Sequence, residues 1–511
     1  GCCKKDSHFS NSQAFTAFGV PIPPQTEVKH MQELTITLTP KSKTPLYEQI
    51  YTYIKQDIQT GHIKAKEKLP SSRALSAYLE VSRSTVELAY EQLLSEGYLE
   101  SVPCKGYYAC QIEDLYQFQK EAAVKAPASF KEEQVCDYDF TPNGIDLDSF
   151  PYGTWRKITR NILLNDNKDL FQLGDPKGEW ELRETITSYL HQARGVNCHP
   201  DQIIIGAGND YLLMLLSAIL GTSRQIAMET PTYKHAYRIF GQLGFDLCTV
   251  PMDASGMQVS VLESSGAEIA YVMPSHQYPL GIVMPIKRRL ELLSWASRRE
   301  GRYIIEDDYD SEFRYKGKPI PALRGTDQRE KVIYLGTFSK SIAPAIRISY
   351  LVLPEELLQD GEEILHKFSS TVSRIDQMTL NQFLKEGHFE RHLNRMRTIY
   401  GRKHELLLGE LKKISGFCRV TGEHAGVHLL VEFTNGMTET EGIGRARAEG
   451  VKVYPLSEYE IGNNQESRKA QEEARQGPAV ILGYATLSER EIAEAAKRLQ
   501  KAWSVKVLDK N

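Results

Sequence analysis

The most regular pattern in the chain begins at Leu46, where Ile50, Ile54 and Ile58 follow at spacing four and lay one apolar stripe along a helix. Pro45 stands at its start and Gly61 stops it. After the polar loop Lys64 to Pro70, Ser71 or Ser72 caps a short helix carrying Leu75 and Leu79. Ser82 caps a third helix with Val86, Ala89, Tyr90, Leu93 and Leu94 on its apolar side. The two short helices meet at Glu80-Val81, which predicts a helix-turn-helix. Tyr98 to Val102 and Tyr107 to Cys110, divided by the turn Pro103 to Gly106, predict a two-stranded wing. Residues 33–111 are therefore expected to form a winged helix of α+β class. Residues 112–137 are polar, Lys/Glu-rich and without glycine, the pattern of a linker.

From residue 138 onward the pattern changes to apolar runs alternating with helical stripes, as at Gln202 to Gly206, Glu268 to Met273, Arg302 to Ile305 and Lys331 to Leu335. That alternation predicts a mostly parallel sheet covered by helices, an α/β large domain over 138–385. A long Arg- and His-rich helix after Glu386 leads into shorter strands at Gly426 to Phe433 and Ala479 to Ala485, so 386–511 is expected to be a smaller α/β domain.

Composition narrows the function classes. At 511 residues, with 41% hydrophobic and 25% charged, the chain has material for several cores and is neither disordered nor collagen-like. No run of about 18 apolar residues free of charge occurs, so a membrane-spanning helix is not expected, and the protein reads as cytoplasmic. Eight cysteines without a C-x-x-C pair or zinc-type His spacing give no metal site. Gly1-Cys2-Cys3-Lys4-Lys5 is like an acylated terminus, but Lys5 stands where that signal wants Ser or Thr, and no apolar leader follows. Residues 1–32 are set aside as an extension expected to lack structure. The net charge of −4 supplies no global attraction to nucleic acid. Within 33–111 nine Lys or Arg balance nine Asp or Glu. Their distribution decides: Lys64, Lys66, Lys68, Arg73, Arg83 and Lys105 fall in the loops and helix starts that would face a duplex, while Glu87, Glu91, Glu96 and Glu100 come later.

Four segments carry chemistry in the larger part. Lys340 lies in Gly336-Thr337-Phe338-Ser339-Lys340-Ser341 directly after an apolar strand, with Arg347 following, a setting that suits an imine to an aldehyde cofactor beside a phosphate pocket. Glu306-Asp307-Asp308-Tyr309 ends another strand, where a pyridinium nitrogen needs an anion and a phenolate oxygen a donor. Gly206-Ala207-Gly208-Asn209-Asp210 joins strand to helix and offers backbone N–H groups to a phosphate. Pro231-Thr232-Tyr233 supplies an aromatic to stack on a flat ring.

In this order, and with Pro274-Ser275-His276-Gln277-Tyr278-Pro279 between them, the segments resemble fold-type I PLP-dependent enzymes, the class I aminotransferases. Leu69-Pro70-Ser71-Ser72-Arg73, Val81-Ser82-Arg83-Ser84-Thr85-Val86 and Glu96-Gly97-Tyr98-Leu99 resemble a GntR-type winged helix. The fusion resembles the MocR family of bacterial regulators. That resemblance implies pyridoxal 5′-phosphate (PLP) as cofactor, with Lys340 forming the imine, Asp307 pairing with the pyridine nitrogen and Tyr309 meeting the ring oxygen. It implies that Gly208, Asn209, Thr337 and Arg347 hold the phosphate and that Tyr233 lies over the ring. It also implies that Arg73, Arg83, Thr85, Lys105 and Gly106 touch double-stranded DNA, and that the protein is a homodimer.

The sequence departs from the enzymes in three places. The usual Asn contact to the ring oxygen is absent, leaving His276 or Gln277 to replace it. Where the enzymes carry an Arg for the substrate carboxylate, the strand Ala479 to Leu487 offers Ile481, and Arg475 and Arg490 flank it out of register. His235 stands where a relative that responds to a γ-amino acid has Arg. These losses weaken the readings as an active aminotransferase, or as a regulator that responds to an amino acid or amine, without touching cofactor capture. The expected function is a DNA-binding transcription regulator whose aminotransferase-like domain senses PLP, in its sharpest form to control vitamin B6 synthesis.

Overall fold

The computed structural model describes residues 36–40, 42–112, 136–164, 168–315, 320–422, 426–461 and 477–505. The expected extension 1–32, nearly all of the linker 112–137, and Arg475 lie outside the described residues. Contacts divide the chain into two units at Glu132/Glu133.

The first unit holds helices α1 (Leu46–Gln59), α2 (Ser72–Tyr78) and α3 (Arg83–Ser95) and an antiparallel pair β1 (Leu99–Val102) and β2 (Gly106–Ala109). The Ile50, Ile54 and Ile58 stripe of α1 is buried against Leu75, Val86, Ala89, Tyr90, Leu93 and Leu99. Each such side chain contributes roughly 1.5–3 kcal/mol on burial, so truncating Ile54 would open the centre of this small core. Ser71 caps α2 by accepting from the Ala74 N–H, and Ser82 caps α3 by accepting from the Thr85 N–H. The stretch expected as a plain loop, Lys64 to Pro70, is partly paired: Lys66 N–H donates to the Ala109 carbonyl and Leu69 N–H to the Tyr107 carbonyl, both within 2.9 Å. It thus lies along β2, which the alternating lysines conceal.

In the second unit β3 (Tyr138–Asp139) precedes β4 (Ile203–Gly206), β5 (Gln225–Thr230), β6 (Asp246–Asp253), β7 (Gly256–Met257), β8 (Ile269–Val272), β9 (Tyr303–Asp308), β10 (Val332–Thr337) and β11 (Ser349–Val352). An eight-stranded sheet runs in the order β4-β11-β10-β9-β8-β5-β6-β7. β10, β9, β8, β5 and β6 are parallel, β4 shares their direction across the reversed β11, and β7 is a short hairpin return. The central strands are buried on both faces, which is why they read as unbroken apolar runs. Helices Trp180–Arg194 and Asn209–Leu220 cover opposite faces: one packs in the cluster with Ile203 and Tyr334, the other with Ile204 and Ile333.

The helix Arg374–Lys385 ends at Gly387, and the 25-residue helix His388–Lys412 leads into β12 (Cys418–Thr421), β13 (His428–Phe433), β14 (Val451–Lys452), β15 (Tyr454–Pro455) and β16 (Ala479–Gly483). β12, β13, β16 and β15 form an antiparallel sheet. β3 pairs in parallel with β14, so the segment that opens the large domain in sequence is tied to the smaller sheet. Among the described residues no helix is long and apolar enough to cross a membrane, and no cluster of His, Cys, Asp or Glu is able to hold a metal ion.

Candidate functional site

Because the parallel strands share one direction, the loops after β4, β5, β8, β9 and β10 gather at one edge of the sheet, the edge where α/β folds bind ligands. Lys340, Asp307, Tyr309, Tyr233, Asn209, Thr337 and Arg347 line a single cavity there. These residues span positions 209 to 347, and only the sheet order brings them together.

Lys340 follows β10, and its Nζ donates to the Pro142 carbonyl at 3.3 Å. Burial lowers its ammonium to about 8, against a smaller opposing pull from Asp310. An amine so placed is partly neutral, and hence nucleophilic, near physiological pH.

Asp307 ends β9 and is buried. Its Oδ2 accepts from the Tyr271 hydroxyl, while Oδ1 has no hydrogen-bond partner among the described residues. Burial pushes the carboxyl up to about 7, with Asp308 and Asp310 adding to the rise and the Tyr271 hydroxyl opposing it. A buried carboxylate with one free oxygen requires a cationic or donor partner, which is what a pyridinium nitrogen provides. The residues present therefore fit PLP.

At the other end of the cavity, Gly208 precedes the helix Asn209–Leu220 without a side-chain cap, at φ +86° and ψ 170°, a region open only to glycine. A Cβ there would sit 2.3 Å from Arg347 Nη2, so glycine also makes room for the guanidinium. The uncapped helix start and Arg347 together form an anion cradle. Asn209 Oδ1 is buried without a partner among the described residues. Thr337 Oγ1 accepts from the Ser349 hydroxyl at 2.8 Å and the Ser339 N–H at 3.2 Å, which fixes the turn leading to Lys340.

His276 does not line the cavity but stands behind it. Its Nδ1 is 2.9 Å from Asp310 Oδ2 and 3.0 Å from Tyr309 Oη, and the acceptor-only carboxylate places the ring proton on Nδ1. The contact to Tyr309 makes His276 the prop of that phenol. Gln277 takes no such part: its amide donates to the Pro231 and Tyr278 carbonyls and its Oε1 accepts from the Leu280 N–H. Ile481 is fully buried with Leu430, Leu456 and Ala479, and Arg490 is exposed and absent from the lining. Asn143, Asp210, Met273, Tyr278 and Ser339 also line the cavity and were not anticipated. Asn143 carries no local signal, since it arrives beside Lys340 on the segment after β3. Asp210 was visible inside the glycine turn.

In the first unit Arg73, Arg83 and Lys105 are exposed and Thr85 is half-buried at the start of α3. Arg83 Nε donates to Glu87 Oε1 at 2.7 Å, a contact on the same helix that leaves the guanidinium at the surface. Gly106 opens β2 at φ +110°.

Residues 146–499 match the family profile "Aminotransferase class I and II", and residues 46–108 match "Bacterial regulatory proteins, gntR family". The HTH-type transcriptional regulator YdeL of Bacillus subtilis is 39% identical over 90% of this chain and 97% of its own length. The pyridoxine biosynthesis transcriptional regulator PdxR of Corynebacterium glutamicum is 31% identical over 75% and 83%. The probable rhizopine catabolism regulatory protein MocR of Rhizobium meliloti is 29% identical over 92% and 96%. Among solved structures, the α-aminoadipate aminotransferase LysN of Thermus thermophilus, complexed with N-(5′-phosphopyridoxyl)-L-leucine, is 26% identical, with a TM-score of 0.61 over 71% of this chain and 91% of that one. A gntR-type head joined to an aminotransferase domain, shared along nearly the whole length of such relatives, makes this chain a member of the MocR family of HTH-type transcriptional regulators.

Proposed function

We propose that this regulator holds PLP at Lys340 and that the aminotransferase-like domain serves as the effector sensor for the DNA-binding head. The observation that carries the reading is the pairing, in one cavity, of a buried low-pKa amine with a buried carboxylate that has one oxygen free. PLP when bound supplies an aldehyde for capture by an amine and an electron-withdrawing ring. Lys340 is the capturing amine, Asp307 holds the ring nitrogen, and Tyr309, propped by His276, holds the ring oxygen. Tyr233 stacks on the ring, and Gly208, Asn209, Thr337 and Arg347 receive the phosphate.

PLP itself is the effector favoured here, since among the described residues the cations lining the cavity are Lys340 and Arg347, which this reading assigns to the aldehyde and the phosphate. The apolar packing of Ile481 supports this against an amino-acid effector or steady transamination, because a missing Arg forfeits about 1.5–3 kcal/mol of charged hydrogen bonding. The PdxR relative, named for pyridoxine biosynthesis, supports vitamin B6 synthesis as the regulated process. Arg73, Arg83, Thr85, Lys105 and Gly106 form the duplex-facing surface, and a cytoplasmic homodimer would present two heads to paired half-sites.

The test is spectroscopic. Purified protein with PLP is expected to be yellow and to lose its colour on borohydride treatment with label retained on Lys340, and Lys340→Ala is expected to stay colourless. Label on another lysine, or none, would refute the assignment.

A further inference from the structure

Asp210 is out of place in an anion cradle. It occupies the first turn of the helix Asn209–Leu220, lines the cavity, and directs its carboxylate at the groups an anionic ligand would use. Oδ2 accepts from Arg347 Nη2 at 3.0 Å, and Oδ1 lies 2.9 Å from His235 Nε2. All three side chains are about half exposed, at 48–49%. A cradle meant to retain a phosphate permanently would keep its guanidinium free and exclude carboxylates, because like charges a few ångströms apart repel. Here the guanidinium is already engaged by an internal anion that occupies the phosphate's place in the charge balance.

We infer that Asp210 competes with the phosphate group of PLP for Arg347, with His235 holding its other carboxylate oxygen, so that phosphorylated ligand is held exchangeably rather than as a permanent prosthetic group. The inference rests on the reading that the phosphate of PLP enters at Gly208 and Arg347. Exposed ion pairs are weak and readily exchanged, so Arg347 can pass from the carboxylate to a doubly charged phosphate and back. That exchange gives a sensor a cofactor affinity tuned to respond to concentration. The pair also imposes specificity: it acts on the phosphate end alone and leaves capture at Lys340 unaltered.

The experiment measures equilibrium binding of PLP and of pyridoxal, which lacks the phosphate, to the full-length cofactor-free protein by absorbance, for the wild type, Asp210→Asn and His235→Gln. Asp210→Asn is expected to bind PLP about tenfold more tightly, as expected on removing one like charge beside the phosphate. Its pyridoxal affinity is expected to stay within about twofold, which also shows that the site is intact. His235→Gln is expected to weaken PLP binding with pyridoxal unaffected. Unchanged or weakened PLP binding in Asp210→Asn, with pyridoxal preserved, overturns the inference while leaving capture at Lys340 standing. Absence of any Lys340-dependent absorbance in the wild type overturns both.

Discussion

At the scale of single residues, the decisive feature is how burial moves two ionisable groups toward neutrality in the same cavity. Lowering Lys340 from 10.5 to about 8 raises its neutral fraction at pH 7 about 300-fold. The rate of PLP capture is therefore expected to rise with pH and level off above about 8 in a stopped-flow absorbance profile. A rise that continues toward pH 10 would show an ordinary exposed lysine. Asp307 moves the other way, from 3.8 up to about 7. The folded state binds this proton more tightly than the unfolded chain, so the group's stability contribution is whole at low pH and is lost as pH rises through about 7. In cofactor-free protein, the stability gap between Asp307→Asn and the wild type is expected to shift in the variant's favour by roughly 3 kcal/mol between pH 5 and pH 8. Urea unfolding at the two pH values checks it, and a gap independent of pH contradicts it.

At the scale of elements, the turn from β4 into the helix Asn209–Leu220 has no tolerance for a side chain at Gly208. Gly208→Ala is expected to cost roughly 1–3 kcal/mol of stability through its backbone conformation alone. It is also expected to weaken PLP binding at least about tenfold by displacing Arg347, the charged hydrogen-bond partner proposed for the phosphate. Titration of the variant reads both, and wild-type affinity would show that the cradle is not the phosphate site. In the head, Lys105→Ala and Arg83→Ala are each expected to weaken DNA binding, and each is expected to reduce the slope of log affinity against log salt by about 0.9 if one phosphate contact is lost. An unchanged slope removes the residue from the interface. Both elements were legible in the chain, because caps, glycine turns and apolar stripes are local signals. The pairing of Lys66–Leu69 with β2 was not, since its residues alternate without an apolar face.

At the scale of the whole molecule, the strand ends that carry Tyr233, Asp307 and Lys340 could be read singly, and the resemblance put them in one site. What stayed hidden was the support around them. Tyr271 reaches Asp307 because β8 and β9 run parallel with Tyr271 opposite Ile305, which puts Asp307 two residues on and on the same face. Asn143 arrives because β3 pairs with β14, some 300 residues later in the chain, a contact that no local pattern announces. Ile481, at the place where the resemblance expects a carboxylate-holding Arg, is buried with Leu430, Leu456 and Ala479 in apolar packing.

The measurement that bears most directly on this account is the affinity of the full-length protein for DNA from its own promoter, at fixed salt, with and without PLP, for the wild type and Lys340→Ala. PLP is expected to shift the wild-type affinity several-fold and to leave that of Lys340→Ala unchanged, since coupling between two sites appears only when the ligand is held. Equal DNA affinity of the wild type in the presence and absence of bound PLP would contradict the claim that this domain is a sensor.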